Sequence, residues 1–371
     1  MAGSMDKTSA LLERTPQARD EAVLVHTYGL TKSFGTRLAV NQVDLEVRRG
    51  DVFGLLGPNG SGKTTTLRML LGLVWPTGGR IELFGADVTL PGKRREALQR
   101  VGAIVEQPAF YPFLSGRQNL AGVATFAGLP ATSATSARID TVLQQVGLAQ
   151  RATDTYRKYS LGMKQRLGIA AALLTDPELV LLDEPTNGLD PAGMVEVRAL
   201  IGQLAQRGTT VFLCSHLLHE VQQVCTRVAI LKDGALLAQG HVSELLASGS
   251  GVQIAFATPD DMSRAVQALQ AAQAGGASWL SGARYIPPDP GAAPPPGGWY
   301  LLVHTAAEHA SDVNRLLAQQ GLYAAEVRRR EASLEQFFLA LTGAYPAPTG
   351  LPVPAAGPAP SATITATGAA Q

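Results

Sequence analysis

The chain has little of what marks a secreted scaffold, a membrane span or a polyelectrolyte binder. Cysteine is scarce: Cys214 and Cys225 are the two in 371 residues. Their spacing suits neither a CxxC redox pair nor a zinc knuckle, and two are too few for a disulfide framework. Cys214 lies in the apolar run VFLC and is expected to be a buried small hydrophobe. No run of 18 apolar residues occurs, so the sequence offers no transmembrane helix. The opening residues, MAGSMDKTSALLERTPQARDE, lack the apolar core and cleavage pattern of a signal peptide and read as a loose polar extension. An excess of one charge is missing too. With 31 basic and 30 acidic side chains the formal net charge is +1, so nothing global points to nucleic acid, while local basic patches stay open. Apolar residues are plentiful, at 46%, and supply a substantial core. The length admits one to three domains.

Along the chain, a β-rich opening (VLVHTYGL from Val23, VDLEVRRG from Val43) precedes the apolar strand DVFGLLG and the helix TTTLRMLLGLVW. IELFG from Ile81 and VGAIVEQ from Val101 follow as strands, and Tyr111 to about Ala152 reads as mostly helical. A helix near Ser160 then leads to the strand ELVLLDEP. A helix from about Gly193, the strand TTVFLCS, the helix LLHEVQQVC and the short strands RVAILKDG and ALLAQG complete the pattern near Ala247. This alternation predicts a mostly parallel sheet with antiparallel strands at the start. Beyond Ser248, two strand–helix–strand repeats are expected: GVQIAFAT, DMSRAVQALQAAQA, WYLLVHT, HASDVNRLLAQQG and AAEVRRR, closing on the helix SLEQFFLALTG. IPPDPGAAPPPGG between them reads as an exposed loop. From Ala344 the tail is Pro, Ala, Gly and Thr with almost no charge, and is expected to be disordered.

GPNGSGKTT, Gly57 to Thr65, matches the phosphate-loop pattern GxxxxGK[ST] and sits between a strand and a helix, as that pattern requires. Gly57, Pro58, Asn59, Gly60, Ser61, Gly62, Lys63, Thr64 and Thr65 are the expected phosphate cradle. Glycines let backbone N–H groups curl around phosphate oxygens, and the helix N-terminus adds unpaired donors. Lys63 is expected to reach the β and γ phosphates, and the Thr64 hydroxyl to contact Mg²⁺. ELVLLDEPTNGLD supplies an acidic partner. Asp183 is expected to hold Mg²⁺, and Glu184, one residue on, to act on the attacking water as general base or orienter.

These stretches, with YSLGMKQR (Tyr159–Arg166) between them, resemble the ATPase subunits of ATP-binding cassette (ABC) transporters in order and spacing. The resemblance covers roughly Val23 to Gly240, and within the family it is nearest the separate ATPases of drug-resistance and antibiotic exporters. It implies an α/β fold: a P-loop nucleoside triphosphatase of the ABC type with an antiparallel β subdomain and a helical subdomain, followed by a small α+β C-terminal domain. The implied organisation is a flexible extension over 1–21, an ABC ATPase domain over 22–247 with a helical subdomain about 108–168, an accessory domain over 248–343 with a proline-rich loop at 287–297, and a disordered tail over 344–371.

The resemblance also assigns roles. Phe34 matches the adenine-stacking aromatic, and Val40 is placed near base or sugar. Gln107 matches the glutamine that senses Mg²⁺ or water, and is counted with Thr64 and Asp183 at the metal and with Lys63, Glu184 and His216 in catalysis. His216 matches the switch histidine that contacts γ-phosphate; Glu220 lies at i+4 from it, on the same helix face. Ser160, Leu161 and Gly162 of the signature are implied to contact the nucleotide held by a second subunit's phosphate loop, and Asp190, counted with them as nucleotide-binding, to lie with Asn187, Gly188 and Leu189 in the loop that meets that subunit. Tyr159, Leu161 and Met163 depart from the commoner LSGGQ signature, while Ser160 and Gly162 keep a hydroxyl and backbone N–H groups at a helix start. Met163 cannot reproduce a glutamine's hydrogen bonds to ribose.

The implied ligands are ATP and Mg²⁺. The implied partners are a second copy or homologous ATPase subunit and a separate integral membrane permease, with no direct nucleic acid. The implied location is peripheral, at the cytoplasmic face of the cell membrane. The competing expectations are a soluble ABC ATPase acting in regulation or assembly on nucleic acid or ribosomes, and a cassette that controls another protein without transport. In the C-terminal region, RRREASLEQFF reads either as a docking or dimer surface or as a solvated basic face before an amphipathic helix.

Overall fold

A computed structural model describes residues 23–106, 109–247, 250–286, 298–330 and 332–341. Gln107, and the expected extension, proline-rich loop and tail, lie outside the described residues. The described chain divides into two compact units. One comprises the residues up to 247 together with 332–338, and the other 250–330 with 339–341. The second domain was expected to run to 343, whereas residues 332–338 group with the first unit.

The first unit opens with β1 (Val23–Phe34), β2 (Arg37–Val43) and β3 (Glu46–Arg48), and then β4 (Val52–Leu56), α1 (Lys63–Leu70), β5 (Gly78–Leu83) and β6 (Ala86–Asp87). Next come α2 (Pro91–Leu98), β7 (Val101–Ile104), α3 (Gly116–Phe126), α4 (Ser133–Gln145), α5 (Leu161–Leu173) and β8 (Leu179–Asp183). It continues through α6 (Pro191–Gln206), β9 (Thr210–Ser215), α7 (Leu218–Val224), β10 (Arg227–Lys232), β11 (Ala235–His241) and α8 (Val242–Ala247). α2 and α8, of 8 and 6 residues, are too short to show a clear 3.6-residue pattern in the sequence.

Two sheets share this unit. The antiparallel one has order β2-β1-β5-β6, with β3 also paired to β1. The other has order β11-β10-β4-β9-β8-β7 and is parallel except at the β10–β11 edge. Strands β4, β8 and β9 are buried along their whole length. That burial explains why VFGLL, LVLLD and TVFLCS read as near-continuous apolar runs without alternation. Phe53 and Phe212, opposed across β4 and β9, stack with ring centroids 5.4 Å apart. Because β4, β9 and β8 are parallel neighbours, the segments that follow them emerge at one edge of the sheet.

Helix starts follow local capping chemistry. Ser115 and Gln118 form a reciprocal capping box at α3, and Thr132 accepts from the Thr135 N–H at α4. Ser160 accepts from the Met163 N–H at α5. Asp190 accepts from the Gly193 N–H at α6, with Pro191 in the first helical position.

The second unit is β12 (Gly251–Phe256), α9 (Pro259–Ala274), β13 (Gly282–Ile286), β14 (Trp299–His304), α10 (Ala310–Gln319) and β15 (Glu326–Arg330). The helix α11 (Leu334–Leu341) begins in the first unit and ends in the second. The sheet order is β13-β14-β12-β15, all antiparallel. This is the split βαββαβ arrangement. GARYI was not expected as a strand. Five residues beside a proline-rich stretch carry too little pattern, and pairing with β14 is what makes it one.

Candidate functional site

The strand β4 delivers the loop 57–62 to the sheet edge, and α1 begins at Lys63. Gly62 has φ +105°, and a Cβ there would stand 2.6 Å from the Ala39 carbonyl oxygen, so this position requires glycine. Lys63 is buried, and its ammonium donates to the carbonyls of Gly57 at 2.8 Å and Pro58 at 3.2 Å. Ser61 Oγ is buried with no hydrogen-bond partner. A loop with an orphaned hydroxyl and a lysine folded back on its own carbonyls has the donors a phosphate chain needs.

Across the sheet edge, Thr64 Oγ1 donates to Asp183 Oδ1 at 3.3 Å. Burial pushes the Asp183 carboxyl above its ordinary pKa; the Thr64 bond pulls it down, and the neighbouring Glu184 charge raises it again. The pair is made of hard oxygen donors, and a divalent cation between them would offset the cost of the buried charge. No group of three or more His, Cys, Asp or Glu able to hold a metal occurs among the described residues. Two hard oxygen donors beside a phosphate-binding loop fit Mg²⁺, which usually takes one or two protein oxygens and completes its shell with phosphate and water.

Glu184 sits between two partners. Its Oε1 lies 3.5 Å from Lys63 Nζ, and its Oε2 lies 2.8 Å from His216 Nδ1. Its backbone is left-handed, with φ 47°, and its N–H donates to the Cys214 carbonyl at 3.0 Å. A non-glycine residue in this region is strained and persists where its surroundings fix it. Glu220, read as the neighbour of His216, instead pairs with Arg198 at 3.0 Å. The i+4 spacing fails because α7 begins at Leu218, after His216.

Phe34, Arg37, Ala39, Asn59, Gly60, Gly62, Lys63, Thr64, Thr65 and Glu184 line one cleft of about 370 Å³. Phe34 is half exposed at its mouth, with the Lys32 ammonium 5.0 Å from its ring centroid; an aromatic ring in this position can stack on a base. Val40 is fully buried; its side chain packs under Gly62, and Ala39 takes the place in the cleft wall. Arg37 and Ala39 were not singled out from the sequence. A basic residue three positions after the stacking aromatic was the available signal for Arg37.

Ser160, Leu161, Gly162 and Asp190 are not in this cleft. They gather elsewhere in the unit: Leu161 Cδ2 lies 3.3 Å from where a Gly188 Cβ would be, and a Cβ on Gly162 would lie 4.0 Å from Gly193 Cα. Ser160 is exposed there and Leu161 is 43% exposed. No described helix is long and apolar enough to cross a membrane.

The profile of the ABC transporter family matches residues 40–187. The chain is 48% identical over 219 residues to the bacitracin transport ATP-binding protein BcrA of Bacillus licheniformis, covering 59% of this chain and 70% of that one. It is 38% identical over 329 residues to the daunorubicin resistance ATP-binding protein DrrA3 of Streptomyces coeruleorubidus, covering 87% and 96%. Among solved structures, the dimeric post-hydrolysis state of the cassette MJ0796 bound to ADP and Pi aligns with a TM-score of 0.53 at 26% identity, covering 59% of this chain and 99% of that one.

Proposed function

Because the chain belongs to the ATP-binding subunits of ABC transporters, an ATPase family, we propose that it closes as a dimer around two ATP molecules and so powers a separate membrane permease that exports drug-like compounds. The observation that carries this reading is the joined set Thr64–Asp183 and Lys63–Glu184–His216 at one sheet edge. Lys63 and the loop N–H groups bind the phosphates, and Phe34 stacks on the base. Thr64 and Asp183 would hold Mg²⁺, which would supply charge neutralisation at the phosphates. Glu184 accepts a proton from water aimed in line with the bond that breaks, and His216 holds Glu184 in place.

The second cluster completes the reading. Ser160 and Gly162 lie outside their own chain's cleft, so they are free to cap a γ-phosphate held by a partner subunit. Two cassettes related by two-fold symmetry would then bury two nucleotides, each between one chain's Gly57–Thr65 and the other's Ser160–Gly162. Closure shifts the helical region and transmits nucleotide state to the permease. Exposed apolar side chains suited to a permease contact occur there, with Tyr111 54% and Phe113 72% exposed. The export cargo is inferred from BcrA, named for bacitracin transport, and DrrA3, named for daunorubicin resistance.

Affinity purification from membranes tests the proposal. The chain should recover an integral membrane partner, and the purified pair should hydrolyse ATP faster in the presence of cargo. Recovery of ribosomal or nucleic-acid partners in its place would favour a soluble regulatory role.

A further inference from the structure

Phe34 closes β1 and Arg37 opens β2, and the two are directly opposed across the two-residue turn Gly35–Thr36. Directly opposed residues of an antiparallel pair point to the same side of the sheet. The hairpin therefore presents an aromatic ring and a guanidinium side by side, and both line the cleft. Arg37 reaches the phosphate loop as well: its Nη2 stands 3.5 Å from where a Cβ of Gly60 would lie.

Charge in the cleft is unevenly satisfied. Its charged lining residues are Arg37, Lys63 and Glu184. Lys63 is occupied by Glu184 and by the carbonyls of Gly57 and Pro58. Arg37 has no ion-pair or side-chain hydrogen-bond partner among the described residues. A guanidinium without a counter-ion beside a phosphate-binding loop is suited to charge-assisted, bidentate contact with phosphate oxygens. Lys63 stands at the inner end of the cleft beside Glu184, and Phe34 at the mouth. Arg37 opposes Phe34 and its guanidinium reaches Gly60, so the phosphates within its reach lie between the base and the loop.

We propose that Arg37 is a nucleotide-binding residue that grips a phosphate common to ATP and ADP between the Phe34 platform and the loop at Gly60. The inference rests on reading this cleft as the ATP site. The hairpin then contacts base and phosphate together, alongside Lys63 and the loop.

The test is calorimetric titration of the full chain with ATP and with ADP, at low and high salt, for wild type, R37A, R37K, R37E and K63A. R37A should weaken ATP and ADP alike, by about ten-fold. R37E should weaken both further, R37K should recover part of the loss, and the salt dependence of affinity should be shallower in R37A than in wild type. Arg37 is exposed, so the melting temperature should not change with R37A. Unchanged affinity in R37A overturns the proposal, as does a loss confined to ATP, which would put the contact on the γ-phosphate. If K63A abolishes ATP binding while R37A leaves it intact, only the role of Arg37 falls. If K63A binds ATP like wild type, the reading of the cleft falls with it.

Discussion

His216 Nδ1 lies 2.8 Å from Glu184 Oε2, and this contact ties the segment after β9 to the segment after β8. The two strands are parallel neighbours, so the histidine and the carboxylate meet without any long loop. The other carboxylate oxygen faces Lys63. Glu184 is thus oriented from both sides, and its strained backbone (φ 47°) is held by the N–H bond to the Cys214 carbonyl. Preorganisation of this kind lowers the cost of aligning a general base with its water.

Glu184→Gln keeps the size and the hydrogen-bonding reach of the side chain but removes its basicity. ATP binding should persist, turnover should fall by about a hundred-fold or more, and the ATP-closed dimer should accumulate. Single-turnover hydrolysis and light scattering check this together. Hydrolysis at the wild-type rate would remove Glu184 from the role of base.

The parts of this site set by short-range pattern were legible in the sequence. The loop from Gly57 to Thr65 carries its own glycines and lysine, and Asp183 with Glu184 ends an apolar run too uniform to be a surface strand. The pairing of His216 with Glu184 was not legible, because it depends on β8 and β9 being neighbours, which sequence order does not state. The i+4 relation to Glu220 looked local and gave way to a tertiary pair, Arg198–Glu220. Arg37 was hidden for a similar reason: its relevance comes from opposing Phe34 across a tight turn. In the second unit, the strand GARYI depended on its partner β14 and not on its own five residues.

His216→Ala leaves Glu184 held from one side, by Lys63 alone. Turnover should fall by about a hundred-fold, with ATP affinity changed much less. The two residues act through one contact, so the double variant with Glu184→Gln should be little slower than the slower single variant. Additive losses in a double-mutant cycle would show that the 2.8 Å contact has no part in catalysis.

Ser160 has one observed role and one proposed role, and the two can be separated. It caps α5 through the Met163 N–H, and in the proposed dimer it faces the partner's nucleotide. Ser160→Ala removes the cap, at a cost of about 1 kcal/mol. Ser160→Arg adds bulk at an exposed position and should block ATP-dependent dimerisation while the monomer still binds ATP. Comparing melting temperatures with light scattering distinguishes the two effects. A Ser160→Arg chain that dimerises with ATP as wild type does would place the signature away from the interface.

Glu178 enters β8 at the end opposite the catalytic edge, where its carboxylate bridges Arg100 and Arg49, each at 2.6 Å. The Arg100 hydrogen bond, with help from Arg49 and against some desolvation, holds its pKa at about 2, below the ordinary 4.5. The ionised form is the one the fold favours, so its stabilisation is complete above about 4.5 and is lost as the pH falls toward about 2. With 35% of the side chain exposed, solvent screening reduces the contribution to about 1 kcal/mol. Glu178→Gln should lower stability by that amount at neutral pH, and the difference from wild type should shrink as the pH drops below 4.5. ATP hydrolysis at neutral pH should be unchanged, since neither arginine reaches the cleft. Thermal unfolding of both chains across acidic pH measures the effect; a difference that stays constant on acidification would show that the double arginine bridge contributes nothing through its charge.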